Sequence, residues 1–265
     1  MDNLASQIIK KIKQKKEFQD LDNSTVSHSL SQYLQKHNIP LKDLSPKQRK
    51  LVTKEIRSQL RKLTGQYQKS SKKRVQFLDQ NKIQELLKTH SSTAERLSFY
   101  PKLKKIISSL QIKSILDLAC GLNPLALATK EITYHASDIK QSELDLIKTY
   151  FKKHNIRGTT FSLDIRLIEK AALPKTDLCL LFKVLDIIED KGHKLAEKII
   201  QSVPAKYILI SFPTKKLSGK PMANKRRLWL ERLLEHKSLK YAAFSSDNEV
   251  FYLAKKTSQQ TASPQ

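Results

Sequence analysis

Apolar residues in the first third of the chain recur at helical spacing. Leu4, Ile8 and Ile12 lie four residues apart, which places their side chains on one face of a helix. Further along, Ser45 followed by Pro46 is typical of a helix start, because serine caps the first turn and proline suits its first position. The pattern predicts a bundle of several short helices.

From about residue 106 the pattern changes to short apolar runs that alternate with amphipathic segments. The predicted strands are Ile112–Leu118, Thr133–Ser137, Thr159–Leu163, Leu178–Phe182, Tyr207–Phe212, Leu239–Phe244 and Val250–Leu253. The predicted helices between them are Leu125–Lys130, Ser142–His154, His193–Ser202 and Lys225–His236. This alternation is typical of an α/β domain whose mostly parallel sheet is covered on both faces. We therefore expect a small all-α domain over residues 1–105, a sheet domain over 106–256 and a disordered polar tail over 257–265.

Positive charge is the dominant feature of the composition. The chain holds 50 Lys and Arg against 25 Asp and Glu, a net charge of +25. Residues 1–105 hold 24 of these bases and only 9 of the acids, so the helical part is the more basic. Such an excess indicates a polyanionic partner. The helical domain is expected to dock this partner through phosphates and shape, and removal of residues 1–80 is expected to leave the binding of any cofactor intact.

The sequence disfavours a membrane-spanning, secreted, disulfide-bonded or metal-binding protein. No apolar stretch nears the roughly 20 residues that span a bilayer, and the first residues lack the apolar block of a signal peptide. The basic, amphipathic first helix leaves binding to a membrane surface as an alternative. Cys120 and Cys179 cannot form a disulfide framework or a CxxC metal site. A reduced, cytoplasmic, metal-free and monomeric protein is expected.

The first predicted strand carries the clearest signs of a ligand site. Asp117 lies near its end, Gly121 forms the following turn, and a helix begins near Pro124. Asp138 ends the next strand and is suited to bind the two hydroxyls of a ribose. One glycine in place of GxGxxG gives little support for a pyrophosphate site, so the pattern favours S-adenosylmethionine (SAM).

Five segments resemble the aminoglycoside-resistance 16S ribosomal RNA methyltransferases, which methylate N7 of a decoding-site guanine. They are His90–Leu97 (HSSTAERL), Ile115–Leu127 (ILDLACGLNPLAL), Ala136–Ile139 (ASDI), Leu180–Leu185 (LLFKVL) and Ile210–Gly219 (ISFPTKKLSG). The resemblance covers about residues 85–255. It implies a SAM-dependent, Rossmann-like methyltransferase domain, its last strand antiparallel, behind a small helical domain. It also implies the small ribosomal subunit as substrate and resistance, or an equivalent ribosomal RNA mark, as the outcome.

The resemblance also implies roles for individual residues. Arg96 would hold the carboxylate of SAM, and Ser92 to Glu95 read as a capping box that places Arg96 in the first turn of its helix. Asp164 would accept from the adenine amino group. The predicted cofactor-binding residues are Arg96, Asp117, Ala119, Gly121, Asp138, Ile139, Asp164 and Phe182. No catalytic residue is required beyond alignment, and the candidates near the transferred methyl are Phe182, Lys183 and Phe212.

The loop after the SFPT segment departs from the family. The family's GMExNY element is replaced by Pro221-Met-Ala-Asn-Lys-Arg226, so its Glu and Tyr positions hold Ala223 and Arg226. This loop and its neighbourhood are predicted to contact RNA through Lys215, Lys216, Lys220, Lys225, Arg226 and Arg227. A different target nucleotide remains an alternative. A non-catalytic RNA-binding assembly factor with the same fold is a second alternative. A methyltransferase for a small molecule or a protein is the least favoured alternative.

Overall fold

A single seven-stranded sheet organises the C-terminal part of the chain. The computed structural model describes residues 3–64, 72–189, 192–216 and 218–257. The strands are β1 (Ser114–Leu118), β2 (Thr133–Asp138), β3 (Gly158–Ser162), β4 (Thr176–Phe182), β5 (Ala205–Pro213), β6 (Lys240–Ser245) and β7 (Glu249–Lys255). Their order is β3-β2-β1-β4-β5-β7-β6, and β7 runs antiparallel to both of its neighbours while the other pairs are parallel. The seven predicted strands and the antiparallel last strand are confirmed.

Helices cover both faces of this sheet and precede it. They are α1 (Asn3–Lys13), α2 (Asn23–Lys36), α3 (Pro46–Thr64), α4 (Arg74–Asp79), α5 (Ile83–Lys88), α6 (Ser91–Arg96), α7 (Tyr100–Ser109), α8 (Pro124–Leu127), α9 (Gln141–His154), α10 (Leu185–Ile188), α11 (Lys194–Ser202) and α12 (Leu228–His236). One apolar cluster joins the strands to α7, α8 and α9, and a second joins the opposite face to α11 and α12. The direction of strand addition reverses between β1 and β4, where open α/β sheets bind their ligands.

The first three helices form a basic bundle with its own core. Ser45 and Gln48 bond each other's backbone amides through their side chains, so the predicted start of a helix at Pro46 is confirmed and is a capping box. The apolar side chains of α1, Ile8 and Ile12 among them, are buried against α2 and α3. Because this face of α1 is covered inside the bundle, the structure does not favour the membrane-surface alternative. None of the described helices is long and apolar enough to cross a membrane.

The boundary between the two cores lies earlier than the sequence indicated. Helices α4 to α6 and the first half of α7 precede residue 106, yet Leu78, Leu86 and Leu103 on them are buried in the core of the sheet. The bundle core is instead built from residues up to Leu63, with one contribution from Ile139. The predicted disordered tail lies outside the described residues apart from Thr257.

The predicted capping box at Ser92 is wrong. Helix α6 begins at Ser91, its capping position is His90, and no side chain caps it. Ser92 therefore lies inside the helix, where its hydroxyl accepts a hydrogen bond from Arg96 at 3.2 Å. Arg96 is the last residue of α6 rather than part of its first turn.

Candidate active site

A cleft opens at the carboxyl ends of β1, β2 and β4, where the sheet topology predicts a ligand. The predicted site residues that line it are Ala119, Gly121, Asp138, Ile139, Asp164, Phe182 and Lys183. Apolar and polar side chains share its wall, and residues of α3, α6 and α10 complete it. The topology thus brings together residues that are spread over more than sixty positions of the sequence.

The turn after β1 and the end of β2 are held together by Asp138. Its Oδ2 accepts from the backbone amide of Gly121 at 3.0 Å, and its Oδ1 accepts from that of Lys140 at 3.1 Å. Gly121 has a φ of +50° and Ala119 one of +53°, the left-handed region in which the tight turn is made. A Cβ on residue 121 would lie 3.1 Å from the His90 ring. The turn therefore needs glycine for both its conformation and its space.

Two carboxyl groups at this turn have perturbed acidity. Burial and the nearby charge of Glu143 raise the pKa of Asp138 to about 6. Burial raises the pKa of Asp117 to about 7, since its side chain lies behind the cleft with no exposure to solvent. The Tyr134 hydroxyl donates to Asp117 Oδ2 at 2.7 Å, while Oδ1 has no hydrogen-bond partner within the part of the chain that the structure describes. Asp117 is absent from the lining of the cleft, whereas Asp138 is part of it.

Arg96 is engaged by a carboxylate of the protein itself. Its guanidinium binds both oxygens of Glu249, at 3.0 and 2.6 Å, and donates to Asn123 Oδ1 at 2.6 Å. The side chains of Arg96 and Glu249 are 0% and 1% exposed. Burial is the largest single influence and lowers the pKa of the Arg96 guanidinium, but Glu249 and Tyr100 together raise this pKa above its ordinary value. Arg96 lies beneath the cleft and is absent from its lining.

The end of β4 brings an aromatic ring and a buried amine into the cleft. The Phe182 ring packs edge-on against Phe251 and lies 4.7 Å from the Arg96 guanidinium carbon. Lys183 follows with a φ of +54° and is 1% exposed. Its Nζ lies 2.6 Å from Glu95 and 3.7 Å from Glu249. A chain of alternating charges thus runs from Arg96 through Glu249 and Lys183 to Glu95.

Asp164 reaches the cleft already bound to a neighbouring arginine. Arg166 contacts both oxygens of this carboxylate, with Nε at 2.9 Å from Oδ1 and Nη2 at 2.5 Å from Oδ2. Asp164 also caps a short 3-10 helix, Ile165–Lys170, by accepting from the Arg166 amide at 3.1 Å. The sequence analysis missed Arg166, although an aspartate two residues before an arginine is a pattern from which a local ion pair can be predicted.

One predicted methyl-site residue and the predicted RNA-binding residues lie outside the cleft. Phe212 is fully buried in the core on one face of the sheet, packed edge-on against Trp229 and Tyr252, and does not line the cleft. Arg226 is paired with Glu231, and Arg227 with Asp186, so both arginines are used within the protein. The predicted lysines of this loop are exposed on its surface: Lys215, Lys216, Lys220 and Lys225. The loop therefore presents lysines, with its arginines holding it in place.

Comparison with known proteins identifies a consistent set of relatives. The family described as ribosomal RNA methyltransferase (FmrO) matches residues 78–251. A protein of Serratia marcescens named 16S rRNA (guanine(1405)-N(7))-methyltransferase is 32% identical over 222 residues, which cover 82% of this chain and 84% of that one. The structure of the 16S rRNA methylase RmtB covers 96% of this chain and 98% of its own, with 25% identity and a TM-score of 0.77.

The fold extends over nearly the whole chain. The 16S rRNA methyltransferase RmtF, solved with S-adenosyl-L-homocysteine, superposes with a TM-score of 0.81 over 97% of this chain and all of its own, at 23% identity. This likeness shows the fold alone. Together with the sheet order, it confirms the predicted methyltransferase fold behind an N-terminal helical region.

Proposed function

We propose that this chain, which belongs to the FmrO family of ribosomal RNA methyltransferases, transfers a methyl group from SAM to N7 of a decoding-site guanine in 16S ribosomal RNA. The observation that carries the proposal is the cleft at the carboxyl ends of β1, β2 and β4, built on the Gly121 turn and Asp138. The identity of the acceptor, N7 of a guanine in 16S ribosomal RNA, is inferred from the name of the Serratia marcescens relative.

The residues of the cleft fit SAM. The two Asp138 oxygens accept backbone amides, and a carboxylate has about four acceptor positions, so lone pairs remain for the ribose hydroxyls. Ile139 and Ile165 supply apolar surface for a flat adenine, and Asp164 supplies an acceptor for its amino group. The Gly121 turn has no side chain, which lets a ligand approach the backbone closely. The cofactor's amino-acid end would lie toward Ser92, Thr93 and Asn123, above the buried Arg96.

Methyl transfer to this acceptor needs little acid–base chemistry from the protein. SAM supplies a methyl carbon bonded to a sulfonium; the N7 lone pair forms the new C–N bond, the C–S bond breaks with its electrons left on sulfur, and the guanine ring gains the positive charge. N7 carries no proton, so no base has to remove one. The task of the protein is alignment. Phe182 and Lys183, at the end of β4, line the cleft and are the candidates for the residues beside the transferred methyl group.

The substrate is proposed to be the assembled small ribosomal subunit in the cytoplasm. A net charge of +25, a basic three-helix bundle and the exposed lysines of the 215–225 loop suit a folded RNA surface. In addition, a positive charge on a decoding-site guanine repels cationic aminoglycosides. Expression is therefore expected to raise aminoglycoside resistance in a sensitive bacterium.

A labelled-methyl transfer assay tests this function. Purified protein and SAM with a labelled methyl group are incubated with small subunits, with naked 16S RNA and with large subunits. We expect label on the small subunits, less on naked RNA and none on large subunits, with Asp138→Ala as the cofactor-deficient control. Label on large subunits or on protein, or the absence of label from every substrate, would reject the proposal.

A further inference from the structure

The helical bundle touches the cleft through Arg166. The guanidinium that holds Asp164 also donates from Nη2 to Ser29 Oγ at 3.1 Å and from Nη1 to Gln32 Oε1 at 3.5 Å, and both acceptors are on α2. Asp164 is 4% exposed and the Arg166 side chain 9% exposed, while Ser29 is fully buried. Arg166 is therefore a largely buried bridge between the bundle and one wall of the cleft.

A second contact of the bundle is made with the segment that follows β2, on another wall of the cleft. Leu21 and Lys140 form an antiparallel bridge, in which Asp22 N donates to Ile139 O at 3.2 Å and Gln141 N donates to Asp20 O at 2.9 Å. These bonds fix the backbone directly after Asp138, the proposed ribose ligand. The side chain of Ile139 packs against the core of the bundle. The bundle thus fixes the backbone that sets the position of Asp138.

The bundle also contributes surface to the cleft itself. Leu63 and Thr64, the last residues of α3, line the cleft together with Ile187 and Ile188 of α10. Three separate parts of the bundle therefore reach the site: the segment before α2, α2 through Arg166, and the end of α3.

We propose that the N-terminal bundle is part of the cofactor site and that Arg166 is a positioning residue, which holds the Asp164 carboxylate toward adenine because Ser29 and Gln32 hold Arg166. The inference rests on the proposed function, since it takes SAM as the ligand. It revises the expectation that removal of residues 1–80 leaves cofactor binding intact.

Calorimetric titration of the full-length protein tests the bridge. Arg166→Lys keeps the charge but loses the two-point grip on Asp164, and Ser29→Ala removes the hydroxyl that Arg166 uses on the bundle. We expect each variant to bind SAM about tenfold more weakly, the order associated with one hydrogen bond to a charged group. Arg57→Ala is the matched control, because Arg57 binds the backbone carbonyls of Lys11 and Ile12 inside the bundle, away from the cleft.

A second ligand separates positioning from general stability. S-adenosylhomocysteine carries the adenine amino group, whereas its inosine counterpart has an oxygen there. The parent is expected to prefer the adenosine compound, and Arg166→Lys is expected to lose that preference while Arg57→Ala retains it. If the parent binds SAM but Arg166→Lys and Ser29→Ala bind it equally well, or if Arg57→Ala weakens binding to the same extent, the inference is wrong. If the parent itself binds no SAM, the proposed function fails instead.

Discussion

Replacing Glu249 by alanine leaves the Arg96 guanidinium buried without its counter-charge. Two hydrogen bonds from Arg96 and one from the Ser211 hydroxyl end on this carboxylate, and neither member of the ion pair is more than 1% exposed. Lys183, whose Nζ lies 3.7 Å away, loses part of its compensation as well. Removal of one partner of a buried ion pair costs about 3–5 kcal/mol of unfolding free energy.

Thermal and urea denaturation measure this loss. For a chain of this size, the expected cost corresponds to a fall in Tm of about 6–20 °C. Glu17→Ala is the matched control, since it breaks the exposed pair of Glu17 with Arg61 and is expected to cost about 0–1 kcal/mol. If the two substitutions destabilise the protein to within about 1 kcal/mol of each other, the reasoning on the buried network is refuted.

A double substitution separates the structural role of Arg96 from its predicted cofactor role. Apolar replacement of both members of a buried ion pair is often close to neutral, so Arg96→Met with Glu249→Leu is expected to regain most of the stability lost in Glu249→Ala. Titration of this folded variant with SAM, and with an analogue that lacks the carboxylate, then reports on Arg96 directly. A selective loss for SAM supports carboxylate binding by Arg96, and equal affinities for SAM before and after substitution contradict it.

Three further predictions follow from the cleft and its surroundings. Because burial raises the pKa of Asp138 to about 6 and its ionised form is the proposed acceptor of the ribose hydroxyls, SAM affinity is expected to fall as pH drops from 8 to 5. Asp138→Asn should lose the part of this fall centred near pH 6, whereas a contribution from Asp117, with its pKa of about 7, should remain. Gly121→Ala is expected to cost about 1–2 kcal/mol of stability and to weaken SAM binding through contact with His90, whereas Gly219→Ala, equally strained but in open space, should leave SAM affinity unchanged. Changing three lysines of the loop to glutamate is expected to weaken binding to the small ribosomal subunit by more than about tenfold and to leave SAM affinity unchanged. The control variant carries three lysine-to-glutamate changes at the opposite edge of the sheet. The two sets are Lys215, Lys216 and Lys220 on the loop and Lys206, Lys240 and Lys255 at that edge.

The strands were predictable because their signal is local. Apolar runs placed all seven to within about two residues. The errors are of two kinds: polar ends such as Thr176 and Glu249 belong to strands without being apolar, and apolar residues such as Ile112 and Leu239 lie just outside them. Helix ends were less accurate: α12 begins at Leu228, not at Lys225, because Arg226 and Arg227 leave the helical path to bind Glu231 and Asp186.

The partners of the site residues could not be read from the sequence. Glu249 meets Arg96 across 153 positions, and no local spacing indicates that pair. The contact of the bundle with Arg166 likewise depends on how two cores pack, which the charge pattern does not encode. The turn residues Gly121 and Asp138 were identifiable because parallel strands bring their carboxyl ends to one edge.

Mapping the modified nucleotide tests the central claim most directly. Small subunits treated with the protein and SAM are extracted, and their 16S RNA is exposed to borohydride and aniline, which cleave the chain at N7-methylguanosine. Primer extension then locates the break. The account predicts one new cleavage at a decoding-site guanine, absent when SAM is omitted or Asp138→Ala replaces the parent. Modification of an adenine, or of a guanine outside the decoding site, would contradict it.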